Sequence, residues 1–281
     1  MRASELLVQA ARRLNGAGIP DANRDARKLL AFALQIDPSR LTLVLPDDVS
    51  DDQAEAFHGL IERRAAREPV SHLTGTRLFY GRNFRVSPKA LDPRPETESL
   101  IEAALVQPFS QVLDLGTGTG CILLTLLAER TEASGVGVDL SDEALEVAKA
   151  NRDALQLAQR AELHQGSWFD AVPANCPPFD LIVSNPPYIA LSEMADLEPE
   201  VREYEPRLAL TDEGDGLQAY RDILANVQAF LAPGGRVMVE IGPTQASDVT
   251  KLMQQAGLAG VETIPDMDGR DRVVLGRKST E

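Results

Sequence analysis

The sequence predicts an α/β protein in which a small N-terminal helical domain leads, through a β-hairpin, into a largely parallel sheet covered by helices. Three patterns predict it. Up to about residue 73, apolar residues recur at helical spacing. Aromatic and apolar residues then flank Gly81-Arg82-Asn83, a hairpin signal. After residue 110, strands alternate with helices, as in a sheet buried on both faces. The expected boundaries are 1–73 for the helical domain, 74–90 for the linking hairpin and 91–281 for the α/β domain.

The helical period runs over residues 2–15, 21–36 and 51–67, with Leu6, Leu7, Ala10 and Leu14 on one stripe and Ala26, Leu29, Leu30 and Ala33 on another. Gly16, Gly18, Pro20, Pro38 and Pro46 mark short connections, and Ser50 is placed to cap a helix. Four or five helices are expected, ending near His72. Pro88, Pro93 and Pro95 stiffen the passage into a helix starting near Glu96. QVLDLG is the first strand of the sheet and CILLTLLAER its helix. GVGVDL is the second strand; its helix opens with a Ser141 cap and acidic Asp142 and Glu143. AELHQG and FDLIVS are the next strands. A helix over about 216–231, the strand RVMVEIG, the helix QASDVTKLMQQAG and a final strand DRVVLGRK, open to either direction, complete the pattern.

At 281 residues and 43% apolar, the chain has room for one large and one small core. No apolar run spans a bilayer, and the N-terminus lacks the unbroken apolar core of a secretory signal, so a cytoplasmic protein is expected. The two cysteines, Cys121 and Cys176, suggest no disulfide framework, and no Cys/His spacing resembles a metal site. His58, His72 and His164 carry no motif. The net charge of −15 is unevenly spread: residues 1–73 hold 10 Lys and Arg against 11 Asp and Glu, the remainder 18 against 32. Duplex nucleic acid demands the opposite sign. An acidic domain suits a cationic cofactor and a basic protein partner.

DLGTGTG (residues 114–120) lies where a strand gives way to a helix, the ligand-binding position of α/β sheets. Gly116, Gly118 and Gly120 let the chain turn tightly and a ligand approach the backbone, with Thr117 and Thr119 between them. Cys121 stands where a dinucleotide fingerprint needs its last glycine, which weakens a pyrophosphate reading. Asp139 closes the second strand, where a carboxylate can accept from both hydroxyls of a ribose. Together these imply a nucleoside cofactor without choosing between S-adenosylmethionine and NAD. Trp168, the single tryptophan, either flanks a base or packs in the core.

Asn185-Pro186-Pro187-Tyr188 follows a buried strand. Neither proline can donate to a ladder, so the chain leaves the sheet stiffly. An amide or aromatic amine nitrogen is a poor nucleophile because its lone pair is delocalised. The Asn185 side-chain oxygen and the Pro186 carbonyl could hold its two hydrogens, with Tyr188 packed against the flat group. That leaves a glutamine amide and an adenine both open.

These segments resemble the bacterial peptide chain release factor glutamine methyltransferases, the PrmC/HemK family. The likeness runs nearly end to end, through DPRPETESLIE, DLGTGTG, GSWFD, FDLIVSNPPYI, EPRLAL and GRDRVVLGR. It implies a Rossmann-like class I sheet and S-adenosyl-L-methionine as methyl donor. The acceptor would be the glutamine of the GGQ loop of release factors, docked with help from the helical domain. It implies that Gly116, Thr117, Gly118, Thr119, Gly120, Asp139, Trp168 and Asn185 line the cofactor and that Asn185, Pro186, Pro187 and Tyr188 hold the glutamine. Arg94, Glu96 and Thr97 would lie at the cofactor mouth and Arg207 would brace its loop. A monomer acting on protein, without direct nucleic-acid contact, is expected. Asp92 departs from the apolar residue many members carry before Pro-Arg-Pro. The acidic stretch from Ile189 to Leu208 is expected to face a basic surface of the factor. Two rival readings use the same chemistry, an adenine methyltransferase and a methyltransferase of a ribosomal-protein glutamine. A third reading is a noncatalytic cofactor-binding protein.

Overall fold

The first 76 residues form five helices, α1 (Ala3–Gly16), α2 (Ala22–Ala33), α3 (Leu41–Val44), α4 (Asp51–Ala65) and α5 (Val70–Thr74), of which α1, α2 and α4 fall on the three periodic stripes. The computed structural model describes residues 1–280. Ser50 caps α4 by accepting from the Gln53 amide at 3.3 Å, while the Gln53 side chain accepts from the Ser50 amide. Leu6, Leu14, Leu29, Leu30, Phe57 and Ile61 form the core of this unit. The unit is discontinuous, comprising Met1–Thr76 and Glu198–Tyr204. The later segment contains the short helix α9 (Pro199–Tyr204). Buried Arg64 joins the two pieces, reaching Asp25 at 2.9 Å and Glu200 at 3.1 Å. Arg67 also pairs with Glu200, at 3.2 Å, and the Tyr204 hydroxyl donates to the Ala66 carbonyl at 2.6 Å.

The second unit comprises Arg77–Leu197 and residue 205 onward. It begins with the hairpin β1 (Thr76–Phe79) and β2 (Arg82–Arg85). The turn is Tyr80-Gly81, one residue earlier than the sequence suggested. Both have positive φ, 45° and 73°, which matches the twist of a two-residue hairpin turn. Phe79 and Phe84 meet edge to face at 5.9 Å and are fully buried in this unit's core. Asn151 ties the hairpin to the glycine loop: it accepts from the Arg85 amide at 2.7 Å and donates to the Arg85 and Thr119 carbonyls.

The sheet contains β3 (Gln111–Leu115), β4 (Ser134–Asp139), β5 (Ala161–Gln165), β6 (Phe179–Ser184), β7 (Leu231–Glu240), β8 (Ala259–Pro265) and β9 (Asp271–Arg277). Their order is β5-β4-β3-β6-β7-β9-β8. All neighbours are parallel except β9, which runs antiparallel to β7 and β8. Helices α6 (Glu98–Leu105), α7 (Cys121–Glu129), α8 (Asp142–Ala154), α10 (Gln218–Phe230) and α11 (Ala246–Gln255) accompany it. Two apolar clusters, centred on Leu100, Leu123 and Val183 and on Leu113, Ile182 and Val237, sandwich the sheet. β8 has no counterpart in the sequence reading. It is one of the two edge strands, largely exposed, and Val261 and Ile264 are three residues apart, so they break the two-residue alternation. Among the described residues, no helix is long and apolar enough to cross a membrane.

Candidate active site

The register of the central strands sets the site. Leu115 stands opposite Val138 and Ser184, and Ser184 opposite Val239. One step further along each strand come Gly116, Asp139, Asn185 and Glu240, in a row at the carboxyl edge of the sheet. That edge is where parallel sheets bind ligands. The Ser184 hydroxyl locks two of these strand ends together by donating to the Leu115 carbonyl at 2.6 Å.

The glycine loop is pinned by its backbone. Gly116 and Thr117 amides both donate to the Val138 carbonyl, at 2.8 and 2.9 Å, and the Gly118 amide donates to Asp139 Oδ2 at 2.8 Å. Gly116, Gly118 and Gly120 all have positive φ. A Cβ at Gly118 would project into open space, and one at Gly116 would come within 3.7 Å of the Trp168 ring. Gly120 differs: its Cβ would press on Leu124 of α7, and it does not line the cavity. Its glycine serves the start of the helix. Asp114 lies fully buried beneath the loop and accepts from the Thr117 hydroxyl at 2.6 Å. Burial pushes its carboxyl up to about 7.

A cavity opens above this loop. Its walls bring together Gly116, Thr117, Gly118, Thr119, Asp139, Trp168 and Asn185 from the sequence-derived set, with Arg94 and Thr97. Asp139 accepts from the Gly118 and Ser141 amides through different oxygens, which leaves lone pairs on both for a ligand. Desolvation raises its pKa. Trp168 lies in the 3-10 turn Trp168–Ala171 with φ 44°, a conformation uncommon for a bulky residue. Cys121, Asp92, Pro206, Leu208 and Ala209 also line the cavity, although sequence reasoning gave none of them that place. Burial pushes the Cys121 thiol up to about 12, so it is an inert packing group. Asp92 is buried, so the departure at this position falls on the cavity wall itself.

Asn185 and Pro187 face this cavity; Tyr188 lines a second, polar one with Arg77, Arg94, Glu96, Glu240 and Arg272. Pro186 lies between them and lines neither. Asn185 Nδ2 donates to Thr97 Oγ1 at 3.3 Å. Burial pushes the Tyr188 phenol up to about 12, so it stays neutral. The Tyr188 carbonyl accepts from Gln245 Nε2 at 2.9 Å, and the same nitrogen donates to Gly216 O at 3.1 Å. Gln245 Oε1 accepts from the Gly242 amide at 3.0 Å and the Tyr220 hydroxyl at 3.3 Å. Gly216 has φ 77°, and a Cβ there would collide with the Tyr188 carbonyl oxygen. Gln245 and Gly216 thus fix the end of the Asn-Pro-Pro-Tyr segment, and neither belongs to a local motif that sequence could flag.

The acidic stretch after Ile189 is not an open negative surface throughout. It folds into the 3-10 turn Leu191–Asp196, α9 and the turn Arg207–Ala209. Glu200 is engaged by Arg64 and Arg67, and Glu205, nearly buried, pairs with Arg94 at 2.6 Å. Arg207 grips Glu213 through two contacts, at 2.6 and 2.8 Å, which braces the loop.

Comparison with known proteins agrees with this architecture. A family model described as the PrmC N-terminal domain matches residues 5–75, and one described as a methyltransferase domain matches residues 108–260. The release factor glutamine methyltransferase of Cereibacter sphaeroides is 57% identical over 277 residues, covering 99% of both chains. That of Rhodospirillum rubrum is 44% identical, covering 97% of this chain and 84% of its own. A methyltransferase from Pyrococcus furiosus shares the fold at a TM-score of 0.54 and 16% identity, covering 79% of this chain and 98% of its own. The chain belongs to the release factor glutamine methyltransferase family.

Proposed function

We propose that this chain transfers a methyl group from S-adenosyl-L-methionine to the side-chain amide nitrogen of the glutamine in the GGQ motif of peptide chain release factors. It would act as a cytoplasmic monomer on a protein substrate, with the helical domain helping to dock the factor. The observation that carries the reading is the Asn185 side chain. Its nitrogen is already engaged by Thr97, so its oxygen is left to accept from a substrate NH2 beside the cavity.

The residues at the cavity fit the cofactor. The cradle at Gly118 has room that a Cβ would fill, and Asp139 keeps acceptor capacity on both oxygens. Gly116, Thr117, Gly118 and Thr119 would follow its backbone-facing side, Asp139 its ribose, Trp168 its base and Asn185 its reactive end. When bound, S-adenosyl-L-methionine supplies a methyl group activated by the sulfonium charge. The Asn185 oxygen and the Pro186 carbonyl would hold the two amide hydrogens, which turns the nitrogen lone pair toward the donor. Pro187 stiffens the segment, and neutral Tyr188 packs against the flat amide. Positioning of this kind can contribute on the order of 7–11 kcal/mol in favourable cases.

The test is incubation with labelled methyl donor and purified release factors, followed by mass mapping. One methyl on the GGQ glutamine is expected. Label on nucleic acid would overturn the reading.

A further inference from the structure

The polar cavity beside the cofactor cavity shares only Arg94 with it. Two groups facing this polar cavity have unused hydrogen-bonding capacity. Glu240, at the end of β7, is 1% exposed, and its Oε2 atom is buried with no hydrogen-bond partner among the described residues. A buried carboxylate oxygen left in that state calls for a donor. Arg77, from β1, is half-buried, and its guanidinium has no partner among the described residues. The other two arginines are committed. Arg272 donates to the Ile241 carbonyl at 3.2 Å and to Asp266 Oδ2 through two nitrogens, at 3.3 and 3.2 Å. Arg94 pairs with Glu205 at 2.6 Å.

Charge narrows what can meet these two groups. Arg77, Arg94 and Arg272 stand against Glu96 and Glu240 on the wall and against Asp266 and Glu205 as ion-pair partners. The charges nearly cancel. An anion would be repelled by the Glu240 carboxylate, and a cation by three guanidiniums. A neutral group with one donor and one acceptor meets neither penalty and satisfies both orphans. The peptide unit is such a group, one N–H and one C=O at every residue except proline. Tyr188, which packs against the acceptor amide, also lines this cavity, so the polypeptide carrying the glutamine passes here.

We infer that this cavity is a subsite for the main chain of the acceptor polypeptide beside the glutamine, with Glu240 Oε2 accepting from a backbone N–H and the Arg77 guanidinium donating to a backbone carbonyl. The inference rests on the methyl-transfer reading above. Such a site reads no side chain. It fixes where the acceptor chain lies, and so presents the glutamine amide to Asn185 from a set direction. Free glutamine, which has no peptide unit, lacks this grip.

The test uses the full chain and purified release factor. Arg77→Met and Glu240→Met keep side-chain length and remove the donor and the acceptor. Each should raise the KM for the factor about tenfold. Each should leave cofactor Kd, read from Trp168 fluorescence, within about threefold of wild type. Release factors carrying an α-hydroxy acid, which replaces one backbone N–H by an ester oxygen, are then scanned through the positions flanking the glutamine. One ester should raise the wild-type KM about tenfold. The same ester should have no further effect on Glu240→Met, because the bond it deletes is already gone, while Arg77→Met stays sensitive to it. Unchanged KM in either variant would overturn the inference. So would an ester scan with no effect on wild type, or an ester effect that adds in full to that of Glu240→Met. If Glu240→Met fails to fold, Arg77→Met and the ester scan on wild type decide. Wild-type protein that places no methyl on the glutamine of the unmodified factor would instead overturn the functional reading, and the inference with it.

Discussion

The proposed donor wall and the proposed acceptor wall are built from different material. The donor wall is main chain: two amides on one carbonyl, a third on Asp139, and glycines at positive φ. The acceptor wall is side chains, with Thr97 behind Asn185 and Gln245 behind Tyr188. A main-chain wall has its polarity set by the covalent structure. A side-chain wall must have its polarity imposed, and each link that imposes it is a separate point of failure. Tolerance to substitution should therefore differ sharply between the two.

The comparison can be broken most decisively at Asn185. Asn185→Ala should reduce methyl transfer on the order of 10³-fold, with calorimetric cofactor binding largely retained. Full activity would mean that the main-chain wall suffices. Gly216→Ala tests the support of the same wall. A Cβ at φ 77° facing the Tyr188 carbonyl should cost about 2–3 kcal/mol in urea unfolding and depress kcat. Trp168→Ala should weaken cofactor binding about tenfold while leaving the KM for release factor near wild type. In the wild type, cofactor addition should quench the fluorescence of this single tryptophan. The smallest effect concerns Asp114. Its folded-state pKa, raised from 3.8 to about 7, means that its contribution to stability is fully present below pH 3.8 and lost as pH rises through about 7. Urea midpoints should fall over that window, and Asp114→Asn should flatten part of the slope; Glu240, raised in the same sense, accounts for another part.

The donor wall was also the legible one. Alternating glycines between a strand and a helix, and an acid at the next strand end, are local patterns with one backbone meaning. Even there, spacing does not separate a glycine open to the cavity, as Gly118 is, from one packed on its own helix, as Gly120 is. The acceptor wall was legible only at Asn185 to Tyr188. Thr97 and Gln245 reach it from the turn before α6 and from the cap of α11, and only the tertiary fold brings them to it. Edge strand β8 escaped for another reason: it is too exposed to show a buried face. The acids of the 189–208 stretch read as one surface because pairing with Arg64, Arg67 and Arg94 is a tertiary fact.

The helical unit takes its last helix from far along the chain. Arg64 is buried between Asp25 and Glu200, and Glu200 leaves the ribosome only after β1 to β6 have been made. Chains emerge N-terminus first, so α1 to α5 must wait through the synthesis of half a sheet before that arginine gains its second acid. The first unit to begin folding therefore cannot finish until four strands of the sheet have been synthesised. A fragment ending at Thr76 would stay in the waiting state, with Arg64 lacking one carboxylate and the Ala66 carbonyl lacking the Tyr204 hydroxyl.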